Sequence, residues 1–143
     1  MTTELKDRVV QLISRARELS AVVEERAEQC EALRRIPPET QKDFLDAGFY
    51  KVLQPARYGG FDLKYGIQTD LAAEIGRGCA SSAWVLSVVS CHSWMVGMFP
   101  EKAQDDVWGN HPDAIISSSF LPMGPTSVTR TEGGYQLKGR WGF

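Results

Sequence analysis

Leu5, Val9, Leu12, Ala16, Leu19, Val23, Cys30 and Leu33 recur mostly at three- and four-residue steps, with charged residues filling the intervening face. That spacing predicts one long amphipathic helix over 4–34. Thr3 is its expected N-cap, and Arg34 and Arg35 suit the negative end of its dipole. Pro37 and Pro38 stop it, and Pro38 fits the first turn of the next helix. This second helix, PETQKDFLDAG, is expected to bury Phe44 and Leu45 and to end at Gly48 in a left-handed cap. FYKVLQPARYGGFDL then reads as a short apolar piece running into a turn, where Gly59-Gly60 permits backbone angles other residues avoid. A third helix, about 65–76, places Ile67, Leu71 and Ile75 on one side and breaks at Gly76 and Gly78. Ser81 or Ser82 is the expected cap of a fourth helix, about 82–98, and Pro100 opens a short amphipathic helix through Trp108.

Beyond residue 113 the period changes. AIISSSF reads as a β-type run, SVTRTE alternates, and Gly133-Gly134 marks a hairpin turn into YQLKGRWGF. Helices followed by strands, without βαβ alternation, give an α+β order. The expected division is a helical domain over 1–112 and the start of a β domain over 113–143. Tyr135, Leu137, Gly139, Trp141 and Phe143 sit at period two up to the last residue, and three short strands do not shield both faces of a sheet. The expectation is therefore the N-terminal part of a longer protein; a small α+β domain with a frayed last strand is the alternative.

Composition narrows the class. A chain of 143 residues, 43% hydrophobic and 24% charged, is one globular domain's worth. Sixteen basic against eighteen acidic side chains leave no basic excess for nucleic acid or an anionic membrane. Three cysteines without a C-x-x-C spacing speak against a disulfide scaffold or a zinc site, and a cytoplasmic setting is expected. MTTELKDRVV carries four charges before any apolar run, unlike an export signal. No acidic or basic residue occurs between Arg77 and Glu101, but Ser81, Ser82, Ser87, Ser90, His92 and Ser93 within that stretch favour a buried helix over a membrane span.

Candidate chemistry is sparse. The chain has no G-x-G-x-x-G, no G-x-x-x-x-G-K-[ST] and no H-E-x-x-H, and its two histidines are nineteen positions apart. Cys91 and His92 are adjacent on a helix and so point in different directions. His92 shares a face with Trp84, Val85, Val88 and Val96, either as a proton-handling imidazole or as a buried hydrogen-bonded one. On a strand, Ser117 and Ser119 face one way and Ser118 the other, offering short hydroxyls to a flat ligand or simply a solvated edge. Trp94 and Trp141 are able to stack on a ring or serve as core.

Three stretches together carry a resemblance: RRIPPETQKDFLDAGFYKVLQPARYGG, GRGCASSAWVLSVVSCHSWMVGMFP, and AQDDVWGNHPDAIISSSFLPMGPTSVTRTEGGYQLKGRWGF. Their order resembles the acyl-CoA dehydrogenase superfamily, and within it the flavin-dependent aromatic hydroxylases, the oxygenase components of two-component monooxygenases. Ordinary acyl-CoA dehydrogenases carry a Thr/Ser-Glu-Pro…Gly-Ser-Asp pattern after the first β strand; SSSFLPMGPTS lacks both the Glu and the Gly-Ser-Asp.

The resemblance implies a protein more than twice this long, with a completed β domain and a C-terminal helical bundle that builds a homo-oligomer, a tetramer when full length. It implies reduced flavin (FMNH2 or FADH2) supplied by a separate flavin reductase, O2 as cosubstrate, and a small phenolic or other aromatic substrate, with the 143-residue chain inactive by itself. It makes His92 and Ser118 catalytic residues and puts Ser117, Ser119, Phe120, Leu121 and Trp141 against the flavin. Trp84, Val88 and Met95 then form the substrate wall, and no metal is required. An acyl-CoA dehydrogenase or related flavin oxidase is one alternative; a non-catalytic helical module is another.

Overall fold

The computed structural model describes residues 3–142. Helix α1 (Thr3–Glu25) buries Leu12, Ala16, Leu19 and Val23, a stripe at four- and three-residue steps. Thr3 lies inside the helix rather than capping it. The single helix expected over 4–34 is two: Arg26 leaves helical geometry, and α2 (Ala27–Leu33) follows. No helix breaker marks this point. The Arg26 guanidinium reaches sideways to Asp43 at 2.7 Å and Thr40 at 3.3 Å on the next helix, and that tie fixes the junction. Arg34 then ends α2 in the left-handed region, and Leu33, expected on the buried stripe, is exposed.

Helix α3 (Pro38–Asp46) starts at a proline, as expected, and Gly48 beyond it has φ 72. Its buried pair is Thr40 and Phe44, one helical turn apart. Leu45 is turned about a quarter of the way round and is 41% exposed, a correction to its expected burial. Two short 3-10 turns, Phe49–Lys51 and Ala56–Tyr58, lead to α4 (Tyr65–Gly76) and α5 (Ala80–Gly97). Gly59 takes φ 81, and a Cβ at Gly60 would sit 2.0 Å from the Gln54 carbonyl oxygen. Helix α5 begins after Cys79, so Ser81 and Ser82 are in its first turn and neither caps it. Ser81 bonds Glu31 instead, and Ser82 is buried. Helix α6 (Glu101–Trp108) completes the helical part behind Pro100.

The main core joins α1, α3, α4 and α5 through Leu12, Leu19, Phe44, Phe49, Leu71, Ile75 and Leu86. A smaller cluster gathers Tyr58, Val96 and Trp108 under Ala114 and Ile116. No described helix is long and apolar enough to cross a membrane.

The run AIISSSF is not a strand. It has no neighbouring strand to complete a ladder, and its isoleucines divide between the small cluster and the surface. Strand β1 (Leu121–Pro122) follows it and pairs antiparallel with β4 (Trp141–Gly142). Strands β2 (Ser127–Thr131) and β3 (Gly134–Lys138) form the expected hairpin; Gly133 supplies a φ of 76 in the turn, and Gly134 already pairs with Thr131. The period-two run of the last strand extends to Phe143, which lies outside the described residues.

Candidate functional site

Helix α5 is apolar and serine-rich, and it crosses the helical part as a mostly buried element. His92 sits three-quarters of the way along it and is 8% exposed. Its Nδ1 lies 2.6 Å from the Val88 carbonyl oxygen, one turn back on the same helix. Its Nε2 lies 2.6 Å from Ser118 Oγ on the segment that leaves α6. These partners assign the tautomer. A carbonyl only accepts, so Nδ1 carries a proton and donates; in the neutral ring Nε2 accepts the Ser118 hydroxyl proton. Ser118 as a residue is exposed, and its bond to His92 is part-buried.

Phe120 completes the setting. Its ring stacks parallel on the imidazole, with centroids 6.2 Å apart and planes 7° apart. The β1–β4 ladder places Leu121 opposite Gly142 and Pro122 opposite Trp141. Ser119 Oγ donates to the Gly142 carbonyl, tying the serine run to β4. Ser118 Oγ and the Phe120 ring meet His92, Ser119 and Leu121 are tied to Gly142, Trp141 stands opposite Pro122, and Ser117 is next in the chain. Val88 is present through its carbonyl. Trp84 stands apart: it is 62% exposed and borders a separate groove with Arg34 and Arg35. Met95 is half-buried on the same helix.

A cavity of about 320 Å³ is lined by Tyr50, Lys51, Gln54, Val89, Ser93 and Ala114 among others. Neither His92 nor Ser118 lines it, although the segment 113–118 borders both. The Tyr50 hydroxyl donates to Gln41 at 2.8 Å, and burial pushes its pKa well up. Lys51 pairs with Asp113 at 2.5 Å. Cys91 is engaged by the Tyr65 hydroxyl, whose pKa that hydrogen bond raises, rather than by the neighbouring imidazole. Trp94 packs edge-on against Tyr65. Among the described residues, no three His, Cys, Asp or Glu side chains converge as a metal site.

Sequence reasoning missed the Val88 carbonyl, the Phe120 stack and the Gly142 acceptor. The four-residue step from Val88 to His92 was a usable signal for the first. The other two depend on how the irregular segment returns over α5, and no periodicity encodes that path.

A helical unit followed by a few antiparallel strands matches the front of an acyl-CoA dehydrogenase-type fold. The family model described as "Acyl-CoA dehydrogenase, N-terminal domain" matches residues 7–110, and the chain belongs to that family. The chain is 38% identical over 125 residues to the oxygenase subunit HsaA of a flavin-dependent monooxygenase from Rhodococcus jostii (strain RHA1), covering 87% of this chain and 32% of that protein. It is 32% identical over 134 residues to the oxygenase component of an FADH(2)-dependent resorcinol hydroxylase from Rhizobium sp. (strain MTP-10005), covering 94% and 32%. The solved structure of XiaF from Streptomyces sp., in complex with FADH2 and glycerol, superimposes with a TM-score of 0.87 at 26% identity, over 97% of this chain and 35% of that one. The chain spans about a third of the length of the curated relatives it matches.

Proposed function

We propose that this chain is the front part of an oxygenase component of a two-component flavin-dependent monooxygenase, hydroxylating a phenolic substrate with reduced flavin and O2. The observation that carries the reading is the Val88–His92–Ser118 hydrogen-bond chain, which ends at an exposed serine. Reduced flavin, once bound, supplies the activation of O2. The residues present offer such a group apolar contacts, through the exposed side chains of Phe120 and Leu121 and the Trp141 ring, and hydroxyls at Ser117 and Ser118. Ser119 is committed to Gly142.

The chain's own residues bind and deprotonate the substrate. A phenol donates its hydroxyl to Ser118 Oγ, Ser118 passes its own proton to His92 Nε2, and the Val88 carbonyl holds the imidazole in position. Electron density released at the phenol oxygen raises the nucleophilicity of the ring carbons. Phe120 covers one face of the imidazole, and the side chains of Val88 and Met95 add apolar wall that limits water. A flavin reductase as partner and a homo-oligomer, a tetramer, at full length belong to the same reading. FADH2 is favoured over FMNH2 because it is named for the resorcinol hydroxylase and for XiaF. The acyl-CoA dehydrogenase alternative is disfavoured by SSSFLPMGPTS, which lacks the family's Glu and Gly-Ser-Asp.

The test is made on the full product of the gene, loaded with reduced FAD and mixed with O2 and a simple phenol. Hydroxylated product is expected, and Ser118→Ala and His92→Asn are expected to lower its rate by about 10²–10⁴-fold while flavin remains bound. Unchanged rates in both variants, or flavin reduction by an acyl-CoA without phenol hydroxylation, would overturn the proposal.

A further inference from the structure

The segment 113–118, which carries Ser118, forms no ladder, so its path over α5 is set by a few separate ties. Gln54 Nε2 donates to the Pro112 carbonyl at 2.8 Å, and Ala114 and Ile116 pack on the cluster of Tyr58, Val96 and Trp108. Ser118 Oγ lies 2.6 Å from His92 Nε2 at the far end. Between the first two ties stands a charged one, with Lys51 Nζ 2.5 Å from Asp113 Oδ1. Asp113 is five residues ahead of Ser118, and five residues reach at most about 18 Å. Where Asp113 is held therefore bounds where the Ser118 hydroxyl comes to rest.

Lys51 is a firm anchor for that tie. It closes the 3-10 turn Phe49–Lys51, between the buried residues Tyr50 and Val52. Its N–H donates to the Gly48 carbonyl at 3.0 Å, and its own carbonyl accepts from the Phe61 N–H at 2.8 Å. The Lys51 side chain is 30% exposed against 69% for Asp113, so the fixed end of the pair is the sheltered one. Asp46, the other carboxylate on the same cavity, is paired with Lys42, which leaves Asp113 as the partner of Lys51. Lys51, Asp113 and Ala114 all border that cavity of about 320 Å³. Atoms that face open space lack packing partners on that side, so the charged tie takes a larger share in holding the start of the segment.

We propose that Lys51 is a positioning residue for the Ser118–His92 pair, acting through its ion pair with Asp113. Without the tie, residues 113–118 adopt further paths, and fewer molecules hold the Ser118 hydroxyl on Nε2. The geometry stands by itself; the consequence for rate rests on the phenol-hydroxylating reading of the site.

The full product of the gene is compared with Lys51→Met, which removes the charge and keeps an apolar stem. A second variant exchanges the charges, Lys51→Glu with Asp113→Lys. Lys51→Met should lower kcat for phenol hydroxylation by about three- to tenfold, since small misplacements near a reacting group are costly. Its melting temperature should stay within about 3 °C of the parent, and its affinity for reduced FAD should be unchanged. Backbone amide exchange, read by mass spectrometry, should quicken over 113–118 and not in α1 or α4. The charge-exchanged protein should recover more than half of both losses; if it fails to fold, Lys51→Arg takes its place with the same expectation. Parent-like rate and exchange in Lys51→Met would overturn the proposal, as would quickened exchange throughout the helices or a rescue variant no better than Lys51→Met. If the parent hydroxylates no phenol, the reading of the site fails, and local exchange with its rescue decides the role of Lys51 alone.

Discussion

At the residue scale, a single buried amide holds the connection to the candidate site. Gln54 is 3% exposed, and its Nε2 donates to the carbonyls of Tyr58 at 2.9 Å and Pro112 at 2.8 Å. One side chain thus joins the turns after α3 to the segment that delivers Ser118. Gln54→Ala would leave two carbonyls without their donor and is expected to cost about 1–3 kcal/mol in a urea titration. Amide exchange over residues 113–118 should accelerate with it. A loss below about 0.5 kcal/mol would mean that water replaces the amide at no net cost. Nothing in the sequence around Gln54 points to this role, because a lone glutamine between Leu53 and Pro55 has no periodic signature. His92 and Ser118 were individually legible, one from a helical face and the other from a run of small hydroxyls. The family resemblance put both at the active site but did not pair them, since the path of an irregular segment is set by tertiary contacts.

At the scale of elements, the helices were readable because each carries a strong apolar stripe, and their failures are equally local. The break at Arg26 is imposed from outside α1, by Asp43 and Thr40 on α3. The serine run lost its strand for want of a pairing partner. Gly78 shows a third kind of tertiary demand. As a helix breaker it was expected, but its main constraint is contact: a Cβ there would lie 2.0 Å from the Ser20 carbonyl oxygen and 3.0 Å from Val23 Cγ2. It lets the turn between α4 and α5 close onto α1. Gly78→Ala should therefore destabilise by about 1–3 kcal/mol through overpacking. Gly66, exposed in the first turns of α4, meets nothing within 4 Å, so Gly66→Ala should stabilise by up to ~1 kcal/mol through helix propensity. Chemical denaturation of the two variants gives opposite signs if contact, rather than backbone freedom, is what Gly78 supplies; equal signs would refute that account.

At the scale of the whole molecule, the helical part and the strands are stabilised very differently. The helices enclose a continuous core, whereas every residue of β2 and β3 is exposed and the strands pair only two by two. Val128 stands opposite Leu137 on the hairpin, and with Tyr135, Phe120, Leu121 and Met123 it is more than half exposed. The alternation that marks these faces as ones to be covered was visible in the sequence; what covers them was not, because a pattern names a face and not its partner. Contiguous apolar surface of this kind drives association. Sedimentation velocity on the 143-residue chain should accordingly show reversible, concentration-dependent self-association at micromolar levels. The double substitution Leu121→Ser and Leu137→Lys should suppress it while leaving the helical circular-dichroism melt within about 0.5 kcal/mol of the parent, as expected for surface positions. A chain that stays monomeric across that range would show that the strands cover their own apolar side chains in solution. A double variant that melts early would show instead that the strands support the helical core.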